Sequence, residues 1–376
     1  MQPSDDQQPG STTSPVADPA PMDPRKPDTT RLYTFLCEHL LSDDEATTQP
    51  LLAVELLPFG YSNLTYRVRL GQRELILRRP PVGANVRSGH DMSREYRVLS
   101  ALTPIYTRVP RPLVYCDDPA IFGAPFYVME RVEGVILRRP LPDGLSLAPE
   151  TIRAVSEAFV DNFVAIHALD WANTDLKQLG HPEGYTQRQV AGWRERYARA
   201  RTEDIPGITQ IEAWLDEHIP SRSDAALIHN DYKYDNLILA PQHLPTINAV
   251  LDWEMATLGD PLTDLGTTLA YWIDPNDPGE RHDGLLDDGL TTLPGNLSRS
   301  DLAQRYATQS RRDLGEIVFY FVFGLYKNTV IAQQIHARYV KGLIPDPRFG
   351  RFLPAIHALT TTALRAIEKN RIDELG

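Results

Sequence analysis

The polar residues of one short segment have the types and the spacing of a site that handles an oxygen-rich ligand. The segment, LIHNDYKYDNLIL at residues 227–239, has Asp231 five residues before Asn236, with apolar residues on both sides. A second apolar run, AVL, ends at Asp252, 16 residues after Asn236. Because carboxylate and amide oxygens are the hard ligands that Mg²⁺ prefers, we expect Asn236 and Asp252 to hold a divalent cation.

The order of these residues is that of the catalytic loop and the metal-binding aspartate of kinases. Phosphoryl transfer from ATP needs Mg²⁺ against the phosphates and a hydroxyl group held in line with the bond that breaks. In that chemistry Asp231 orients the hydroxyl and accepts its proton. Lys233 neutralises charge on the transferred group, and His229 braces the loop through hydrogen bonds. A polar loop in which Asp and Asn cap turns gives either half of this pattern, but it does not predict both halves in order.

A kinase-like site also needs a hairpin that covers the phosphates, and LPFGYSNLTYRV supplies a candidate. After Gly60 come Ser62, Asn63 and Thr65, whose side chains we expect to bind phosphate together with the backbone amides. The run lacks the repeated glycines of a phosphate-covering loop, and an ordinary hairpin turn has similar residues. Both interpretations stay open for this segment.

The next predicted strand supplies a cation for the phosphates. In RELILRRP, Arg78 stands where kinases carry lysine, and the following helix, SREYRVL, offers Glu95 as its partner. Arginine is bulkier than lysine and binds phosphate or carboxylate through two donors. Arg79 is the alternative for this role, because the strand register is uncertain by one residue. A surface Arg–Glu pair of little energetic value would give the same pattern.

A third feature, FYVMERVEG, is predicted to link the front and rear parts of the chain beside the adenine of ATP. Met129 lies at the inner end of this strand, and the backbone from Glu130 to Val132 is placed to hydrogen-bond a purine. A plain buried strand has the same composition, so that only the position of the segment supports the role.

Periodicity divides the chain into a β-rich front and a helical rear. Residues 1–28 are rich in proline, serine and aspartate, and we expect a disordered tail there. We predict an N-terminal, nucleotide-binding lobe over 29–132. A helical C-terminal lobe over 133–376 carries the catalytic loop, the metal site and the acceptor pocket. The predicted fold class is α+β with two lobes.

Composition excludes several classes of partner. The 376 residues are 42% hydrophobic and 23% charged with a net charge of −12, and no basic block alternates with aromatic residues, so we expect no nucleic acid partner. Two cysteines without metal-ligand spacing indicate a reducing compartment. The longest apolar run is too short to span a bilayer, and no secretion signal is evident. We therefore expect a cytoplasmic protein without a membrane partner, and the oligomeric state stays unknown.

Four segments, LIHNDYKYDNLIL, AVLDWEMATLGDPLTDLG, FGYSNLTYRV and LILRRPP, together resemble the aminoglycoside phosphotransferase family. The resemblance covers 51–270 by motif and is similar to a branch that is fused to acyl-CoA dehydrogenases in some animals and free-standing in actinobacteria. It implies a protein-kinase-like fold with ATP and Mg²⁺ in the cleft between the lobes. The residues to which it assigns roles are the catalytic Asp231, the metal ligands Asn236 and Asp252, and the phosphate-binding pair Arg78 and Glu95.

The segment after Asp252 favours a small-molecule acceptor over a peptide. DWEMATLGDPLTDLG turns within a few residues into a helix, which leaves no platform for an extended peptide. Asp260 and Asp264 are predicted to tie the loop to the start of that helix. The family name suggests an aminoglycoside in an acidic pocket, whereas the branch suggests a hydroxylated acyl thioester or another metabolite alcohol. The acidic candidates for such a pocket are Glu254, Asp274, Asp277 and the run DGLLDDG at 283–289.

Two functional alternatives accompany the phosphotransferase hypothesis. Arg78 at the lysine position is compatible with a nucleotide-binding pseudokinase that acts as a scaffold or regulator. A protein kinase is disfavoured, because the segment after Asp252 is short.

Overall fold

The computed structural model describes residues 29–42, 51–57, 63–81, 91–139, 141, 145, 147–282, 289–343, 350 and 352–376. The predicted tail, Ser62 and the acidic run at 283–288 lie outside the described residues. The predicted α+β class is confirmed, because an antiparallel sheet at the front is followed by a helical rear part.

A five-stranded antiparallel sheet with the order β1-β2-β3-β5-β4 forms the front lobe. Alternation along its strands explains the burial, since Tyr66, Val68 and Leu70 point inward while Arg67 and Arg69 are exposed. The strands are β1 (Leu52–Leu56), β2 (Leu64–Leu70), β3 (Arg73–Arg79), β4 (Pro112–Cys116) and β5 (Phe126–Glu130). Strand β4 was not predicted from the sequence; it is an edge strand that begins with a proline, which edge strands tolerate.

Helices cover both faces of this sheet. On one face lie α1 (Thr29–Leu40) and the short α3 (Pro119–Phe122), and Leu32 and Leu36 of α1 are fully buried against the strands. On the other face lies α2 (Met92–Leu102), which begins at the N-cap Asp91. The apolar residues of α2 belong to the same core as the rear lobe, so this helix and the cleft between the lobes share one packing unit.

The rear lobe is built around one long helix that is buried on nearly all sides. The helices are α4 (Pro149–His167), α5 (Tyr185–Ala200), α6 (Ile208–Glu217), α7 (Pro261–Tyr271), α8 (Arg299–Ser310), α9 (Ile317–Val340) and α10 (Phe352–Lys369). Helix α9 is buried without interruption from Phe319 to Val330. Among the described residues, none of the helices combines the length and the apolarity that crossing a bilayer requires.

Two glycines let α7 and α9 touch through their backbones. A Cβ atom at Gly266 would lie 2.0 Å from the carbonyl oxygen of Tyr320, and one at Gly324 would lie 2.2 Å from the carbonyl oxygen of Gly266. Any side chain at either position would push the helices apart. This close approach brings the middle of α9 next to the loop that α7 supports.

Two small antiparallel ladders deliver the polar segments to the cleft. Strands β6 (Ala226–Ile228) and β9 (Thr257–Gly259) pair in one ladder, and β7 (Leu237–Leu239) and β8 (Ile247–Val250) pair in the other. The loop from β6 to β7 contains residues 229–236, and Asp252 comes two residues after the end of β8. The loop that contains Asp231 and Asn236 leads into β7, and Asp252 lies just after β8. The predicted catalytic and metal-binding residues therefore lie at the ends of two paired strands.

Candidate active site

The loop after β6 is held in a strained conformation by a buried aspartate. Asn230 has φ 69°, in the left-handed region that costs a non-glycine residue energy. The backbone N–H groups of His229 and Asn230 donate to the two carboxylate oxygens of Asp264, at 2.6 Å and 2.7 Å. Asp264 lies in the first turn of α7, and Asp260 caps that helix by accepting from the Leu262 N–H at 2.9 Å. The predicted tie between the loop and the helix is confirmed.

His229 uses both of its ring nitrogens inside the protein. Its Nδ1 accepts a hydrogen bond from the backbone N–H of Asp231 at 3.2 Å. Nε2 is therefore the protonated nitrogen, and it donates to the carbonyl oxygen of Leu251 at 2.9 Å. The hydrogen bonds predicted for His229 are present, and they connect the loop to the residue before Asp252.

Asp231 is surrounded by hydrogen-bond donors. Asn236 Nδ2 donates to Asp231 Oδ2 at 3.0 Å, and Lys233 Nζ donates to Oδ1 at 3.1 Å. Burial favours a higher pKa for Asp231, but the charge of Lys233 and a hydrogen bond from Tyr271 hold that pKa below its usual range. The side chain is therefore a carboxylate near neutral pH.

Tyr271 was not predicted from the sequence. It lies at the end of α7, and its ring centroid is 4.8 Å from Lys233 Nζ. The hydroxyl group faces the carboxylate of Asp231. A tyrosine 40 positions from the aspartate gives no local signal, and the folding of α7 against the loop is what unites them.

Asn236 and Asp252 provide a sparse set of oxygen ligands. Because Asn236 Nδ2 is committed to Asp231, the carbonyl Oδ1 is the atom left for a cation. Asp252 has φ 67° and follows Leu251. The backbone N–H of Leu251 donates to the backbone carbonyl oxygen of Asn236 at 2.8 Å. In the described part of the chain, no group of three or more His, Cys, Asp or Glu residues is arranged to hold a metal ion. One carboxylate and one amide oxygen fit Mg²⁺ that takes its other ligands from phosphate and water.

Arg78, and not Arg79, faces the cleft. Arg78 Nη1 donates to Glu95 Oε1 at 2.5 Å, and Nη2 donates to Asp252 Oδ1 at 3.1 Å. Burial raises the pKa of Glu95, although the charge of Arg78 opposes that rise. Arg79 points to the opposite face of the strand, where it donates to the Phe122 carbonyl and is 1% exposed. Strand alternation therefore resolves the ambiguity that the sequence left open.

Glu254 connects the segment after Asp252 to the front lobe. Asn63 Nδ2 donates to Glu254 Oε2 at 2.7 Å, and Arg78 Nη2 lies 3.5 Å from the same oxygen. Arg94 of α2 donates from Nη1 to the Glu254 carbonyl at 2.6 Å and from Nη2 to the Ala256 carbonyl at 2.5 Å. Glu254 was a candidate for binding a cationic acceptor, but in the structure its carboxylate bonds the front lobe.

A cleft of about 310 Å³ lies between the two lobes. The residues with predicted nucleotide or metal roles that line it are Thr65, Arg78, Glu95, Met129, Glu130, Val132, Asn236 and Asp252. Apolar side chains such as Ile76 and Ile238 complete the walls. Asn63, Asp231 and Lys233 do not line the cleft. Asn63 donates to Glu254, whereas Asp231 accepts hydrogen bonds from both Asn236 and Lys233. Residues from six separate segments therefore line one cleft.

Two further acidic candidates are structural. Arg299 is fully buried, and its guanidinium is paired with the carboxylate of Asp277. The backbone N–H of Arg299 donates to the carboxylate of Asp274 at 2.9 Å. Both carboxylates are therefore buried and bonded to Arg299 inside the rear lobe rather than displayed to a polycationic ligand. The expectation that Asp274 and Asp277 line an acidic pocket is not supported by these contacts.

Comparisons with known proteins agree with this geometry. A sequence profile of the phosphotransferase enzyme family (APH) matches residues 53–298. Acyl-CoA dehydrogenase family member 11 from Homo sapiens is 32% identical over 363 residues, which are 95% of this chain and 45% of that protein. Acyl-CoA dehydrogenase family member 10 from Mus musculus is 35% identical over 293 residues, which are 77% of this chain and 27% of that protein. The chain thus spans less than half the length of these relatives.

Solved structures show the same fold. A Ralstonia eutropha protein classed as an aminoglycoside phosphotransferase has a TM-score of 0.72 and 29% identity, covering 90% of this chain and 99% of its own. The choline kinase LicA from Streptococcus pneumoniae has a TM-score of 0.52 and 15% identity, covering 88% of this chain and 100% of its own. At that identity the second likeness concerns the fold alone. The predicted kinase-like architecture is confirmed by these neighbours.

Proposed function

The chain belongs to the phosphotransferase enzyme family, and from that premise we propose that it transfers the γ-phosphoryl group of ATP, with Mg²⁺, to a hydroxyl group of a small molecule. The observation that supports this most is the hydrogen-bonded series that joins Asp231 to Asn236 and Asn236 to the residue before Asp252. If these residues only capped turns, the pairing of Asp252 with Arg78 across the cleft would not be expected.

Asn236 and Asp252 would hold the metal ion. Bound there, Mg²⁺ supplies positive charge against the phosphate oxygens and the developing charge of the leaving group. Arg78 would bind the nucleotide phosphates while Glu95 keeps its guanidinium in place. Because Arg78 and Asp252 are bonded to each other in the structure, arriving phosphate would take over Arg78 and free the carboxylate for the cation.

Asp231 would orient the acceptor. Its carboxylate accepts a hydrogen bond from the acceptor hydroxyl, and the oxygen attacks the γ-phosphorus as the bond to ADP breaks. The hydroxyl proton passes to Asp231 and from there to solvent. Lys233 and Tyr271 keep the carboxylate ionised before the reaction, and Lys233 offsets negative charge on the transferred group.

The acceptor is the finer part of this proposal. The curated relatives are named acyl-CoA dehydrogenases, whereas the Ralstonia protein is classed with aminoglycoside phosphotransferases. Asp274 and Asp277 are buried and bonded to Arg299, which removes two candidates for a pocket that binds a polycation. We therefore place a hydroxylated acyl thioester or another metabolite alcohol ahead of an aminoglycoside. The reducing cytoplasm, where Mg²⁺ and ATP are abundant, stays the predicted location.

ADP release from the full chain tests the proposal, with Mg²⁺, ATP and a panel of hydroxyacyl thioesters, sugars, aminoglycosides and choline-like alcohols. We expect at least one acceptor to stimulate ADP release. The variant Asp231→Asn should lose this turnover and keep its affinity for the nucleotide, because Asn236 and Asp252 are unchanged.

The same experiment evaluates the pseudokinase alternative, which is supported by Arg78 at the position where kinases carry lysine. A wild-type chain that binds ATP but transfers phosphate to no acceptor, and hydrolyses no ATP, would support a scaffold role. Absence of nucleotide binding in a thermal-shift titration would exclude both functions.

A further inference from the structure

Lys327 is a buried cation behind the catalytic loop. It lies in the middle of α9 and is 2% exposed. Its Nζ donates to the Asn230 carbonyl at 2.8 Å, to Asn230 Oδ1 at 3.3 Å and to Thr267 Oγ1 at 3.4 Å. Over the described residues, no carboxylate oxygen lies within the 4.0 Å of an ion pair with this nitrogen. A buried charge without a counter-ion in contact is costly, so the position calls for a functional explanation.

The surroundings of Lys327 carry charge of both signs at longer range. Asp264 on α7 and Asp231 on the loop attract its proton, whereas Lys233 on the loop and Arg196 on α5 repel it. The ring of Trp193 on α5 lies 5.9 Å from Nζ. Burial is the dominant influence, and it lowers the pKa of Lys327 to about 8.

Asn230 is held from both ends of its backbone. Its N–H donates to Asp264, and its carbonyl oxygen accepts from Lys327. The carbonyl of Asn230 belongs to the peptide bond that leads into Asp231, so its direction sets where the next side chain points. Asparagine tolerates the left-handed φ of 69° better than most side chains, and the two hydrogen bonds fix the directions of its peptide groups.

We propose that Lys327 is a positioning residue, whose ammonium group fixes the Asn230 carbonyl and thereby aims the Asp231 carboxylate at the acceptor hydroxyl. This inference rests on the proposed function, since it gives Asp231 the role described above. Sequence reasoning missed Lys327, which stands in an apolar helix 96 positions after Asp231 and shows no motif.

The number of N–H donors on Lys327 changes with its protonation, which makes the positioning role sensitive to pH. An ammonium group has three donors, and Lys327 has three oxygen acceptors around it. A neutral amine has two donors and a lone pair, so one oxygen loses its partner and faces the lone pair. We therefore expect turnover to fall as the pH rises through about 8, where Lys327 loses its proton. Burial lowers and the Asp231 charge raises the pKa of Lys233, and the net shift is upward, so Lys233 stays charged in this range.

The test compares Lys327→Met with Lys341→Met, which removes an exposed lysine at the end of the same helix. Steady-state ADP release is measured from pH 6 to 9.5 with the full chain, and nucleotide affinity is measured by titration with ADP and Mg²⁺. For Lys327→Met we expect kcat to fall roughly 10- to 100-fold, as for a catalytic group displaced by about 1 Å. The KM for ATP should stay within about twofold, and the alkaline limb should disappear. Lys341→Met should match the wild type in all three quantities.

Each outcome decides one of the two proposals. If the wild type turns over and Asp231→Asn does not, but Lys327→Met keeps the wild-type kcat and alkaline limb, the positioning role is wrong and the proposed function stands. A wild-type chain without turnover overturns both. If Lys327→Met does not fold, the wild-type profile decides, because a kcat that is flat from pH 7 to 9.5 contradicts the role and a limb near 8 supports it.

Discussion

Two groups of polar and charged residues flank Asp231, and they differ in the partners that their side chains bind. The first group, which we call the cleft rim, consists of Arg78, Glu95, Asp252 and Glu254. The second group, which we call the loop floor, consists of His229, Asn230, Asp264 and Lys327. In the rim, side chains are mainly paired with one another across the cleft. In the floor, side chains bind backbone N–H and carbonyl groups inside the protein.

This difference indicates different purposes. Ion pairs between side chains can exchange partners when phosphate and a cation arrive, because neither partner is fixed by the backbone. The rim residue Asp252 keeps 32% of its side chain exposed, whereas Asp264 in the floor keeps none. We conclude that the rim is built to change partners during binding and that the floor is built to keep one geometry.

The largest effect should come from breaking the floor at Asp264. Asp264→Ala leaves two buried backbone N–H groups without acceptors and removes the partner of His167. We expect the free energy of unfolding to fall by about 3–5 kcal/mol, as when one partner of a buried charged network is removed. Urea denaturation measures this, and Asp216→Ala, on the exposed end of α6, should cost less than about 0.5 kcal/mol. Equal losses in both variants would remove the distinction between floor and surface.

A substitution in the cleft rim should lower turnover and leave the stability of the ligand-free protein nearly unchanged. For Asp252→Ala we expect turnover to fall about 100- to 1,000-fold, because a group that organises charge at the phosphates is lost. The unfolding temperature of the ligand-free protein should shift by less than about 3 °C, since the side chain is one-third exposed. A large loss of stability with normal turnover would assign Asp252 to the floor instead.

Arg78→Lys sharpens the contrast within the rim. Lysine keeps a single charge toward Glu95 but cannot reach Asp252 through a second nitrogen of the same planar group. We expect the KM for ATP to rise about tenfold, because a hydrogen bond to a charged group is worth about 1.5 kcal/mol. Arg67→Lys, on the exposed side of β2, serves as the control. An unchanged KM would mean that the fork of Arg78 is not used by the nucleotide.

Much of the site was predictable because its residues are local. Asp231 and Asn236 lie in one loop, and the apolar run of β8 precedes Asp252 in the sequence. The spacing of these residues was therefore enough to suggest their roles. Arg78 and Arg79 were not separable by sequence, because only the side of the sheet on which the cleft lies distinguishes them. The front and rear lobes followed from the change of period from two to 3.6.

The remaining contacts depend on packing between distant elements. Tyr271, Arg94 and Lys327 reach the site from α7, α2 and α9, and no local motif marks them. Helix α9 is apolar on nearly all sides, which indicates burial but does not indicate which face meets the loop. The position of α9 depends on the close backbone contact at Gly266 and Gly324. A single glycine in a helical sequence does not predict such a contact.

A further prediction links the loop floor to the pH dependence of stability. The pKa of Lys327 is about 8 in the folded protein and 10.5 in an unperturbed lysine. Below pH 8 both states are protonated and the cost of the buried charge is fully present. Between these values the unfolded state binds more protons, so this residue makes stability rise with pH, by at most about 1.4 kcal/mol per unit. Subtracting the profile of Lys327→Met isolates this slope, and identical profiles would show that the pKa is not lowered.

Activity and stability should therefore move in opposite directions above pH 8. The buried ammonium is costly to the fold and useful to the loop, a trade-off expected at functional sites. If both quantities fell together, general unfolding rather than Lys327 would explain the alkaline limb.

The convergence of Asp231, Asn236 and Asp252 on one cation and one triphosphate is tested most directly by anomalous scattering from Mn²⁺ in crystals grown with a non-hydrolysable ATP analogue. We expect one Mn²⁺ bonded to Asn236 Oδ1 and to the Asp252 carboxylate at about 2.1–2.2 Å, with the Asp231 carboxylate facing the γ-phosphate. A cation bound to neither side chain, or a γ-phosphate turned away from Asp231, would contradict the proposed function.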